Sequence, residues 1–159
     1  MRGGQRTTGE RGLTLVELII VIAMLGILAM AALPIARFQV KREKEKDLRR
    51  ELWEMRDAID KYKDAADKGA FITKADSFGY PPDLDTLVNG VDVHDKKLKF
   101  LREVPVDPMT GQKDWGTRSM QDDPKSSDGS CGTGGGQNVF DVCSKSNGTA
   151  LDGTKYSTW

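Results

Sequence analysis

Histidine, cysteine and an excess of either charge are what this chain has least of. One histidine, His94, and two cysteines, Cys131 and Cys143, stand among 159 residues. They cannot supply the three or four ligands of the common zinc sites. No Gly-x-x-x-x-Gly-Lys-[Ser/Thr] phosphate loop and no His-Glu-x-x-His helix occurs. No Ser-His-Asp or Cys-His grouping stands out, so the chain reads as a non-enzyme. Lys and Arg total 24, as do Asp and Glu, leaving no formal net charge. Binding nucleic acid through its phosphates needs a basic excess, so no nucleic-acid partner is expected. The aromatic residues are few and scattered, which fits core packing. At 38% apolar and 30% charged the composition is that of a globular protein.

The neutral total is a sum of unlike parts. Residues 1–12 carry Arg2, Arg6 and Arg11 against Glu10. Residues 13–36, LTLVELIIVIAMLGILAMAALPIA, carry one charge, Glu17, and residues 18–36 carry none. Residues 37–50 hold seven basic and three acidic side chains, and residues 51–159 hold fourteen and nineteen. A basic head, an apolar rod, a basic collar and a mildly acidic body make a membrane-tethered layout. About 20 apolar residues of helix cross the roughly 30 Å hydrocarbon layer, so residues 18–36 are long enough to span it. The run exceeds the usual apolar core of a signal peptide and lacks an Ala-x-Ala site with a polar start behind it. The rod is therefore expected to be retained.

A carboxylate inside hydrocarbon costs a few kcal/mol, so Glu17 calls for a partner or a position near the headgroups. The run Gly12-Leu13-Thr14-Leu15-Val16-Glu17-Leu18-Ile19 resembles the processing site of type IV pilins and of type II secretion pseudopilins. The resemblance implies cleavage by a prepilin peptidase between Gly12 and Leu13 on the cytoplasmic face, with Leu13 then N-methylated. Leu13 stands where the family usually has Phe. Glu17 falls on the family's fifth mature position, where it would pair with the exposed amine of Leu13 on an adjacent subunit. Two charges in low dielectric are far better paired than alone. Gly26 and Pro34 match the family's helix-weakening pair, and Pro34 removes a backbone donor. The resemblance implies that the stretch between them loses helicity in a filament. The count of basic residues flanking the rod, three before and seven after, by itself favours a cytoplasmic body. The processing site outweighs it, because the peptidase acts from the cytoplasm.

Leu48, Leu52, Met55, Ile59, Tyr62 and Ala66 recur at helical spacing and predict one core-facing stripe. The helix is expected from near Thr14 to about Asp67, stopped by Gly69. Arg49, Arg56 and Lys63 on the opposite face are expected to be solvated. Gly79-Tyr80-Pro81-Pro82 reads as a turn and residues 83–90 as a short capped helix. Residues 126–136 read as a Gly-rich loop, residues 137–144 as a strand and residues 155–159 as a last short strand. Fewer than four strands are expected.

The segments Gly79-Tyr80-Pro81, the run from Phe100 through Val104-Pro105-Val106-Asp107-Pro108, Asn138-Val139-Phe140-Asp141-Val142-Cys143-Ser144 and the final Trp159 resemble the G-type major pseudopilins of type II secretion. The implied fold is α+β: one long N-terminal helix, transmembrane then amphipathic, packed on a small antiparallel sheet. The expected organisation is a leader (1–12), a transmembrane and assembly helix (13–36), an amphipathic stalk (37–68) and a periplasmic body (69–159). That branch often binds Ca²⁺ after the strand, which makes Ser144, Asn147 and Asp152 the candidate ligands. Calcium wants six to eight oxygens, and this loop is carboxylate-poor. The alternative is a turn held by Asn-Gly and Asp-Gly chemistry. No other cofactor is implied. In an oxidising periplasm Cys131 and Cys143 are expected to form a disulfide, worth about 3 kcal/mol for such a loop. The implied partners are copies of the chain itself, related pseudopilins, the prepilin peptidase, an assembly ATPase and an inner-membrane platform. Two other readings stay open: a pilin or minor pilin of an extracellular filament, and an uncleaved membrane-anchored binding module.

Overall fold

The first helix, α1, runs unbroken over Leu15–Asp67, 53 residues, in a computed structural model that describes residues 12, 14–93, 96–122 and 137–159, the side chains of 31–35 excepted. Thr14 starts it: its hydroxyl accepts the backbone N–H of Glu17 at 3.2 Å. This leaves one fewer unmatched donor in the first turn. Gly69 ends it at φ +69°. The Gly69 N–H donates to the Ala66 carbonyl at 2.9 Å and the Ala70 N–H to the Ala65 carbonyl at 3.0 Å. A left-handed glycine just past the last turn is the common way to satisfy such carbonyls. Both ends fall where the sequence places them.

The chain divides into two compact units, Met1–Val40 and Lys41–Trp159. In the first, the described large apolar side chains between Leu15 and Met30 are all 46–78% exposed. A helix that is apolar on every side has no soluble core to face, and suits lipid or other helices. Among the described residues no helix is long and apolar enough to cross a membrane. The described side chains of α1 stop at Met30 and resume at Ala36, inside the uncharged run of residues 18–36.

The second unit holds the core. Leu48, Leu52, Met55, Ala58, Ile59 and Tyr62 of α1 are buried against Leu87, Leu101, Trp115, Val139, Val142, Ala150 and Tyr156. The core-facing stripe is thus as the periodicity predicts, with Ala58 added and Ala66 only half-buried. Tyr62 packs edgewise on Phe100 at 5.2 Å and tilted on Phe71 at 4.9 Å. A short helix, α2 (Leu84–Asn89), is capped by the Asp83 carboxylate, which accepts the Thr86 N–H at 2.7 Å. It ends at Gly90, φ +78°, where an added Cβ would sit 2.6 Å from the Leu98 carbonyl oxygen. Only glycine fits there.

Four short strands follow, among the described residues, in two antiparallel pairs. Strands β1 (Val91–Val93) and β2 (Lys96–Leu98) pair with Val91 opposite Leu98. Strands β3 (Trp115–Arg118) and β4 (Asp141–Ser144) pair with Trp115 opposite Ser144. The architecture is the α+β, pilin-like one expected, a long helix on a small antiparallel β region, with details corrected. There are four strands rather than fewer, in two sheets rather than one. Three of them were not foreseen, because three or four residues are too short for alternation to show. The strand expected over residues 137–144 begins only at Asp141. It is covered on both faces, so Val142, Cys143 and Ser144 are all buried and the alternation fails. Residues 155–159 form a 3₁₀ turn, Tyr156–Thr158, not a strand, with Lys155 bridged to Thr149. The Gly-rich stretch 126–136 and His94 lie outside the described residues.

Candidate functional site

Two regions carry the sequence-predicted residues, the start of α1 and the C-terminal loops of the body. At the start, Gly12 is exposed and a Cβ built on it meets nothing within 4 Å. The fold therefore does not require glycine there. Leu13 lies outside the described residues. Glu17 sits in the first turn of α1, where a carboxylate complements the helix dipole. Thr14-Leu15-Val16-Glu17 is also the Thr-x-x-Glu spacing that opens many helices. That signal, overlooked in the sequence reading, gives Glu17 a local structural role beside the assembly one. Gly26 lies within the unbroken helix, and an added Cβ there also meets nothing within 4 Å. Helical glycine costs about 1 kcal/mol relative to alanine. No contact among the described residues accounts for either glycine. The backbone of α1 stays helical through Pro34.

In the body, one arginine ties three segments together. The Arg56 Nε donates to Asp141 Oδ1 at 2.7 Å, and its terminal nitrogen donates to the carbonyls of Val142 and Trp159, each at 3.0 Å. Arg56 is therefore not on a solvated face. It sits at the edge of the core stripe, where β4 and the last turn offer three acceptors. Lys63 departs from that expectation too, paired with Asp67 and lying 5.6 Å over the Tyr80 ring. Arg49 stacks on the Trp159 ring at 4.3 Å while staying largely exposed.

A second tie is a buried carboxylate. Glu45 is 7% exposed and accepts the Leu151 N–H at 2.8 Å and the Tyr156 hydroxyl at 2.9 Å. Burial, then the bond to Glu45 and its charge, push the Tyr156 phenol up to about 12. Lys41 donates to the Thr149 carbonyl at 2.6 Å. Polar side chains at 41, 45, 49 and 56 thus hold residues 141–159 onto α1. Nothing in the hydrophobic periodicity marks them.

The candidate calcium residues do not come together as a cage. Ser144 is buried, and its hydroxyl donates to the buried Asp107 carboxylate at 2.6 Å. Asp152 is exposed and accepts from the Thr154 hydroxyl at 2.6 Å and N–H at 2.9 Å, with Arg49 3.8 Å away. Those Thr154 bonds, with a smaller contribution from Arg49, hold its carboxyl below the usual range. Asn147 is exposed. Among the described residues no group of three or more His, Cys, Asp or Glu is arranged to hold a metal ion. One committed carboxylate and one committed hydroxyl do not fit a cation that wants six to eight oxygens. Around Asp152-Gly153 the chain turns, with Gly153 at φ +88° and its N–H donating to the Ala150 carbonyl at 3.2 Å. Cys143 is 1% exposed, and Cys131 lies outside the described residues.

Residues 7–33 match the family described as the prokaryotic N-terminal methylation motif. The match spans the processing site and the apolar start of α1. No curated protein and no solved structure matches the chain. The motif supports a type IV pilin-like protein, cut by a prepilin peptidase, anchored in a membrane and assembled with related pilins. The long helix on a small antiparallel β region agrees with that class.

Proposed function

We propose that this chain is a structural subunit of a type II secretion pseudopilus. It is cut between Gly12 and Leu13, methylated on Leu13 and assembled through α1 into a periplasmic filament that promotes export across the outer membrane. The observation that carries the reading is the run Gly12-Leu13-Thr14-Leu15-Val16-Glu17, which leads into the first turn of a 53-residue helix that is uncharged from Leu18 to Ala36 and amphipathic beyond. The glycines at 12 and 26, which the isolated fold does not need, find their use in cleavage and in close helix approach. In the membrane Glu17 neutralises the Leu13 amine of the neighbouring subunit. The stretch from Gly26 to Pro34 loses helicity on assembly, which lengthens the subunit without breaking its core.

The choice of pseudopilus over extracellular pilus rests on the body segments around Tyr80, Pro105 and Asn138, which resemble the G-type branch. The assembly ATPase and inner-membrane platform follow from that choice. In this reading Cys131 and Cys143 form a disulfide, as suits two cysteines in an oxidising periplasm. Deletion of the chain is expected to abolish secretion of folded proteins while leaving surface pili intact. Loss of surface pili with normal secretion would assign it to a type IV pilus instead.

A further inference from the structure

Beside the core stripe, α1 and the last turn frame an open groove of about 360 Å³, lined by Arg49, Leu52, Trp53, Arg56 and Trp159. At about 100° per residue the four helix residues share one side of α1. Leu52 is buried and forms the floor. The two indoles differ. Trp159 is fixed: its Nε1 donates to the Thr154 hydroxyl at 2.7 Å, its ring meets Tyr156 edge-on at 5.3 Å, and its carbonyl accepts from Arg56. Trp53 is 69% exposed and, among the described residues, makes no hydrogen bond or ring contact. An indole left in water beside such a wall is the kind of side chain that interfaces bury. The two cations differ in the same way. Arg56 spends its Nε and one terminal nitrogen on Asp141 and two carbonyls, and Asp141 matches its charge. Arg49 lies over the Trp159 ring at 4.3 Å, and among the described residues its guanidinium makes no hydrogen bond. Asp152 stands 3.8 Å away, beyond hydrogen-bond reach, and accepts from Thr154 instead. A stacked guanidinium has given up part of its freedom before a ligand arrives, and its N–H fork matches a carboxylate.

We propose that this groove binds a short acidic, aromatic segment of a partner protein. An Asp or Glu carboxylate of that segment sits on the Arg49 fork, and an adjacent aromatic or aliphatic side chain lies over Leu52 between Trp53 and Trp159. Charge complementarity selects this occupant. A basic segment would face Arg49. A purely apolar one would cover the Arg49 donors without offering an acceptor, which costs the desolvation of a charged group. A neutral sugar would stack on the indoles and leave the same charge unmatched. The groove lies wholly within the second unit. The proposal therefore stands on the body alone and not on the pseudopilin reading.

The test is calorimetric titration of the full-length chain in detergent micelles, with empty micelles as the blank. The probe is the acetylated and amidated peptide Glu-Phe-Leu-Glu, with Gln-Phe-Leu-Gln and Lys-Phe-Leu-Lys as its neutral and basic counterparts. The acidic peptide is expected to bind with a Kd of about 100 μM or tighter, and the neutral one about tenfold more weakly, since a charge-assisted bond becomes a neutral one. R49Q and W53A should each weaken the acidic peptide about tenfold or more. Both side chains are largely exposed, so the melting temperature of each variant should stay at the wild-type value, which separates loss of the groove from loss of the fold. No binding of the acidic peptide at about 1 mM, equal binding of the neutral or basic peptide, or wild-type affinity in R49Q or W53A overturns the proposal. So does sedimentation that shows self-association abolished by W53A while the peptide fails to bind, which puts a second copy on the groove. The intact mass keeps the two levels apart. A chain that is cut and methylated in cells yet ignores the peptide overturns the groove alone, and an uncut chain that binds it overturns the filament reading alone.

Discussion

Arg56 shows how much a single side chain outside the hydrophobic pattern does here. Its bonds to Asp141, Val142 and Trp159 join α1 to β4 and to the last turn. Charge-assisted hydrogen bonds contribute more than neutral ones. The site is only part-buried, so Arg56→Ala is expected to cost about 1–2 kcal/mol, read as a lower denaturation midpoint of the full-length chain in detergent. Tyr156 gives a pH signature. Its phenol is raised to about 12, above the ordinary value near 10. The folded state therefore holds that proton more tightly than the unfolded one, and the associated stability is complete below about pH 10. It is lost as the pH climbs through about 12. Melting temperatures across that window should fall, and Tyr156→Phe should flatten the fall. An unchanged slope in the variant would show that ionisation of Tyr156 is not the source of the fall.

At the scale of the element, α1 is one helix with two jobs. Its body half is fastened by core packing, so Leu52→Ala is expected to cost about 2–5 kcal/mol as a buried truncation. Its apolar half is set for assembly, so Gly26→Ala should act in the opposite sense. Replacing a helical glycine by alanine favours the helix by about 1 kcal/mol, yet should lower filament yield, because the close approach or local unwinding used in the polymer is impeded. Circular dichroism of the subunit and sheared-filament yield measure the two effects separately. Most of α1 was legible in the sequence: the start near Thr14, the stop at Gly69 and the stripe from Leu48 to Tyr62 all follow from helical spacing and end chemistry. The Asp83 and Gly90 ends of α2 were legible for the same reason. The strands were not, since Val91–Val93 and Trp115–Arg118 are too short for a two-residue period to stand out. Nor were the ties at Glu45 and Arg56, whose partners lie 85 or more residues away. In the candidate site, Gly12 and Glu17 were legible as a motif. The calcium residues were read from loop resemblance alone, and hydrogen bonds to Asp107 and Thr154 claim two of them instead.

For the whole molecule, charge, anchor and body form one design in which the N-terminus supplies assembly and the C-terminal unit supplies a stable surface. Ser144 and Asp152 are already hydrogen-bonded to Asp107 and Thr154. Millimolar Ca²⁺ is therefore expected to leave the melting temperature unchanged, and a clear rise would reinstate a calcium site. The central claim is that the chain is a processed filament subunit, and it is tested most directly by the intact mass of the protein taken from membranes with and without prepilin peptidase. The account predicts loss of residues 1–12 plus one added methyl group, only when the peptidase is present. A full-length, unmethylated chain recovered beside active peptidase would contradict it and leave an uncleaved membrane-anchored module.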